Sequence, residues 1–69
     1  MNTLDKKMIR ILKQLLDIYK TIQEIQYDLT PEAKMYNDIE LKEALEGLER
    51  TKIILTRTTY RIRNFWVKH

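Results

Sequence analysis

Thr51-Lys52-Ile53-Ile54-Leu55-Thr56-Arg57-Thr58-Thr59-Tyr60-Arg61-Ile62-Arg63-Asn64-Phe65-Trp66-Val67 is the stretch on which the fold of this 69-residue chain turns. It is dense in β-branched and aromatic residues, the composition that favours a pleated strand. Tyr60 and Ile62 alternate with Arg61 and Arg63, which predicts a half-buried strand with the arginines outward. Its partner in a β-hairpin is Ile53–Arg57, joined through a tight connection near Thr58. That connection has no Gly, Asn or Asp to ease positive φ. A competing reading places Leu41, Leu45, Leu48, Leu55 and Ile62 on one long helix, at a cost in propensity for every Thr and β-branched residue.

Working back from this stretch, Leu41, Ala44, Leu45 and Leu48 form one helical stripe, and Asn37 followed by Glu40 offers its amino-terminal cap. Thr30-Pro31-Glu32 marks the end of an element, because proline disfavours a helical residue before it and is welcome at a first helical position. Thr21-Ile22-Gln23-Glu24 fits a capping box that would open a short second helix through Ile25 and Leu29. Before it, Leu4, Met8, Ile11, Leu15 and Ile18 recur at helical spacing and predict a first helix over residues 4–19. The series 4, 8, 11, 15, 18, 22, 25, 29 steps by four and three throughout, so one uninterrupted heptad-patterned helix over 4–29 is also permitted.

Composition narrows the function classes. The chain has no cysteine and no serine, and its one histidine is the last residue, so nucleophile-and-base chemistry lacks its parts. A single glycine, Gly47, excludes a Gly-rich phosphate loop. The carboxylates fall at polar positions of helical patterns, where a solvated face is their ordinary role. The expectation is a non-enzyme with no cofactor and no metal site. Apolar runs of two or three residues are too short for a membrane span, and the absence of cysteine fits a cytoplasmic or nuclear protein. Net charge is +3 but unevenly spread. Residues 1–20 carry +3, residues 21–49 carry −6 and residues 50–69 carry +6.

The order helix, short helix, helix, β-hairpin resembles the winged helix-turn-helix superfamily. Thr21-Ile22-Gln23-Glu24-Ile25 is similar to the start of that family's second helix. Ala44-Leu45-Glu46-Gly47-Leu48-Glu49 followed by Ile53-Ile54 is similar to its third helix running into the first wing strand, and Tyr60-Arg61-Ile62 to the returning strand. Lys52 stands where the family usually has glycine, and Thr30–Asn37 fills a usually shorter turn. The resemblance implies one α+β domain over residues 1–69, mostly helical, with a three-helix core and a carboxy-terminal β-hairpin. It also implies duplex DNA as partner, in transcription or replication control.

The third helix would present Glu40, Glu43, Glu46 and Glu49 against Lys42 alone, a face that phosphates repel. The wing is therefore the expected contact surface, through Arg57, Arg61, Arg63 and Lys68, supported by Arg50 and Lys52, with Thr58 donating to phosphate oxygens. The first helix is apolar over more than half its circumference, which predicts a homodimer through Ile9, Leu12 and Leu16. The alternative is a protein-interaction module, either winged helix or helical hairpin, that presents the acidic helix to a basic partner.

Overall fold

Leu41, Leu45, Leu48, Lys52, Leu55, Thr59, Ile62 and Trp66 step by four and three without a break. A computed structural model, which describes residues 2–69, puts all eight on the half-buried side of a single helix. That helix, α2, spans Ile39–Lys68, and it packs antiparallel against α1, Thr3–Tyr36. The inward row of α1 is Met8, Leu12, Leu15, Tyr19, Ile22, Gln26, Leu29 and Ala33, with the same alternation of steps. Two rows at this spacing form a coiled-coil seam, in which each side chain sits between residues of the facing helix. The molecule is a rod of 52 × 16 × 11 Å. Its length is that of a 34-residue helix rising about 1.5 Å per residue.

The α+β expectation is thereby corrected: among the described residues there is no strand, and the resemblance to a winged helix does not hold. The segments expected as strands, Ile53–Arg57 and Tyr60–Arg63, are turns of α2. The reason lies in how the threonines are satisfied. Thr51, Thr56 and Thr59 each donate their hydroxyl to the carbonyl four residues back, on Gly47, Lys52 and Leu55, at 2.8–2.9 Å. Helical propensity costs these residues and the isoleucines roughly 0.5 kcal/mol each. Half-burying Leu55, Ile62 and Trp66 along a seam works against that cost, each contributing part of the roughly 1.5–3 kcal/mol that full withdrawal from water would give. A two-stranded hairpin at the end of so small a chain would have had less to pack against.

The expected breaks within α1 are also absent. Thr21 does not cap a new helix but donates to the Asp17 carbonyl at 2.9 Å, inside a continuous one. Pro31 lies within α1, exposed on its outer side, where the Tyr27 carbonyl deprived of its amide donor can be hydrated. The true punctuation is Asn37-Asp38. Asn37 ends α1 in the left-handed conformation, φ 50° and ψ 42°, with its amide donating to the Ala33 carbonyl at 3.0 Å. Asparagine is one of the few residues other than glycine that tolerates this region. Asp38, not Asn37, caps α2 by accepting from the amides of Glu40 and Leu41 at 2.8 and 3.1 Å. At the other end Asn2 accepts from the Asp5 amide at 2.7 Å.

Replacing Pro31 by Ala restores one backbone hydrogen bond near the end of α1. Pro31→Ala is expected to raise stability by about 1–2 kcal/mol, less than the full mid-helix penalty because only the last turns are affected. That corresponds to a melting temperature roughly 5–15 °C higher. Thermal unfolding followed at 222 nm tests it, and an unchanged or lower midpoint would show that Pro31 supports the turn instead of straining the helix.

Candidate functional site

Two cylinders in contact shield only one side of each, and the exposure pattern shows the consequence. Met8, Ile22 and Ala33 are the only buried hydrophobic residues among those described, and α2 has none. Large apolar side chains stand in solvent along both flanks of the seam. On one flank Leu16 (52% exposed) and Tyr60 (63% exposed) border a groove of about 300 Å³ whose floor and walls include Leu12, Tyr19, Leu55 and Thr59. Arg63 also lines it. This is the grooved face. The other flank carries Ile18 and Ile25, both more than two-fifths exposed, and, nearer the open end of the rod, Phe65 of α2.

The seam itself is not uniformly apolar. Near its middle Lys52 lies with its side chain only 14% exposed, its ammonium 5.5 Å from the centre of the Tyr19 ring and 3.2 Å from Glu49. The amide nitrogen of Gln26 donates to the same Glu49 oxygen at 2.9 Å. This hydrogen bond, together with the Lys52 ammonium, holds the Glu49 carboxyl below its ordinary value against a smaller opposing effect of desolvation. At the open end the indole of Trp66 donates to Asp5 at 2.8 Å, joining residues 61 apart in sequence. Polar pairs within a seam fix register, because sliding one helix by a turn would strand them beside apolar neighbours.

The antiparallel arrangement also sorts the charge. Residues 2–20 and 50–69 share the open half of the rod and together carry +9, while the turn half, residues 21–49, carries −6. The residues expected to form a DNA-binding wing are all on α2. Arg50, Arg57, Arg61 and Lys68 make one exposed outward row at spacings of seven and four. Arg63 and Thr58 are exposed on opposite flanks, and Lys52 is engaged in the seam. With no β-hairpin among the described residues there is no wing for them to edge. Of the residues expected at a dimer interface, Leu12 belongs to the seam, half-buried, while Ile9 and Leu16 lie one heptad apart on the grooved flank. Tyr19 and Gln26, not Ile18 and Ile25, take the inward positions of α1. The signal was in the sequence: 8, 12, 15, 19, 22, 26, 29, 33 has the same periodicity and continues past Pro31.

No described helix is long and apolar enough to cross a membrane. Comparison with known protein families, with curated proteins and with solved structures gave no match.

Two outcomes follow from the polar pairs. Asp5→Ala and Trp66→Phe should each lower stability by about 1 kcal/mol, since the bond is charge-assisted but only partly shielded. The double variant should cost clearly less than the two combined, and strict additivity in a double-mutant cycle would show the bond contributes nothing. For Glu49 the folded value is depressed. Its contribution is therefore present above the unfolded carboxylate range near 4.5 and is lost as pH falls through the lower folded value. Glu49→Gln should flatten the decline of the melting temperature below about pH 4.5, and a variant with the wild-type acid profile would assign that decline to other carboxylates.

Proposed function

We propose that this chain is a helical-hairpin interaction module that takes up an amphipathic helix of another protein on its grooved face. The observation that carries the reading is the imbalance, among the described residues, between three buried hydrophobic side chains and the many large apolar side chains left in solvent. A surface area of 5770 Å² exceeds by about 1,200 Å² that of a compact protein of this mass. Contiguous exposed apolar surface of this kind marks protein contact sites. A helix laid along a groove between two others presents anchors three and four residues apart, which suits Leu16, Leu55 and Tyr60 as the lining.

Charge defines the other half of the partner. Toward the turn, Glu46 and Glu49 stand on the same side as the groove, within the half of the rod that is −6. A partner helix with apolar residues over Leu16 and Tyr60 and basic residues over the turn half would be matched along its length. The acidic segment is thus a presenting surface and not a nucleic-acid reader.

A photo-crosslinking amino acid placed at Tyr60, with the chain expressed in its native cells, tests this. The expected result is a discrete, nuclease-resistant adduct with another protein, abolished by Leu16→Glu and weakened severalfold by Glu46→Lys. Adducts that form only with the chain itself, or that nuclease removes, would overturn the reading.

A further inference from the structure

Gly47 is unexplained by the hairpin alone. A glycine within a helix costs roughly 1 kcal/mol relative to alanine. A Cβ at this position would meet nothing closer than the Arg50 guanidinium at 3.8 Å, an ordinary contact. No turn, positive φ or tight neighbour requires it. It lies on the flank opposite the groove, and that flank has a pattern of its own.

On this face α1 shows the row Leu4, Ile11, Ile18 and Ile25, at seven-residue intervals beside the seam. The matching row of α2 is Ala44, Thr51, Thr58 and Phe65. None of these residues is charged, and the last two of α1 and all four of α2 are exposed. Just outside them run Lys7, Gln14, Thr21 and Asp28 on α1, and Glu40, Gly47, Ile54, Arg61 and Lys68 on α2. Helices that use the two seam positions and one flanking position are those of a four-helix bundle, and a hairpin supplies half of one.

We infer that this face binds a second copy of the chain in an antiparallel, two-fold symmetric dimer, α1 on α1 and α2 on α2, with the axis passing at the level of Ile18 and Ile54. The two residues stand at one level of the rod, as the contact between Tyr19 and Lys52 shows. Reversing each row about that level makes it complementary to itself. Ile18 meets Ile18 and Ile11 meets Ile25 of the second copy. Phe65 falls over Ala44, a large side chain against a small one, and Thr58 over Thr51. In the outer rows Lys7 meets Asp28 and Lys68 meets Glu40. Arg61 falls over Gly47, where the missing Cβ leaves room for its long side chain once the exposed, flexible Arg50 guanidinium beside that position swings outward.

Charge selects this orientation. Antiparallel stacking sets each +9 open half over the −6 turn half of the other copy, whereas parallel stacking would oppose like charges at both ends. The grooved face has no such symmetry: reversed in the same way, Lys42 would come beside Arg63. The roughly 1,200 Å² by which the rod exceeds a compact shape is more than the ~800 Å² per partner of a standard interface. The proposed module uses the groove, so the two faces can be occupied together.

The chain has no cysteine, so engineered ones report cleanly. Ile18→Cys is expected to form a covalent dimer on mild oxidation, since a residue on a two-fold axis faces its own copy. Ile11→Cys and Ile25→Cys should cross-link efficiently only when mixed. Wild type should sediment as a dimer, and Ile18→Glu, half-exposed in the hairpin, should weaken association roughly a hundredfold while circular dichroism stays helical. A monomeric wild type would sink the dimer, as would cross-linking by Leu16→Cys in place of Ile18→Cys. Neither result touches the Tyr60 adduct, which tests the groove by itself. Should Ile18→Glu unfold, the cysteine pairs on the otherwise unchanged face still decide.

Discussion

A pair of helices touches along a line, and every feature of this protein follows from what that line can and cannot cover. The seam uses two positions in seven on each helix, but the apolar content of the chain is larger, and the remainder lies on flanks that solvent reaches. A third layer is what such a geometry lacks. Domains below about 70 residues seldom supply their own stability without a staple, and this one has neither disulfide nor described metal cluster. Surfaces offered to other chains are then part of the folding problem as well as of the function.

Polar residues within the seam turn a generic hairpin into a specific one. Gln26, Glu49, Lys52 and Tyr19 form one connected group near the middle, and Trp66 with Asp5 forms another at the open end. Each is worth little as stability, because exposed ion pairs contribute at most about 1 kcal/mol. Their effect is on alternatives: a shift of register would separate Lys52 from Tyr19 and Glu49 from Gln26. The turn reinforces this, since Asn37 and Asp38 terminate one helix and start the next with no slack residue between.

Much of α1 could be read directly, because aliphatic residues at spacings of three and four leave little choice. Which of two adjacent rows turns inward could not. Ile18 and Ile25 are more apolar than Tyr19 and Gln26, and hydropathy alone assigns the wrong pair. What decides is the partner: Tyr19 meets Lys52 and Gln26 meets Glu49 across the seam, contacts invisible until α2 is known to be a helix. The carboxy-terminal third misled for a related reason. Alternating Tyr60, Arg61, Ile62 and Arg63 fits a strand, yet Ile62 continues the spacing of Leu48 and Leu55, and threonine hydroxyls have carbonyl acceptors within the helix. Charge was legible by blocks, but that the two basic blocks share one end of a rod is a statement about topology. Of the residues singled out at an expected wing, Arg50, Arg57, Arg61 and Lys68 survive as an exposed row without the edge that was to display them, while Lys52 turns into the seam.

The two-residue turn has a further consequence, for the order in which the molecule comes together. In a hairpin the sequence separation of facing residues grows steadily with distance from the bend. Ala33 and Leu41 enclose a loop of a few residues, whereas Asp5 and Trp66 enclose nearly the whole chain. The entropy lost on closing a loop rises with its length, so pairing beside Asn37-Asp38 is the least costly beginning and each added turn shortens the free ends. Assembly then runs as a zipper from the bend, and opening runs in reverse, with the indole and Asp5 parting first. Amide protection in such a rod is a gradient, deepest toward the bend and shallowest where the two termini meet.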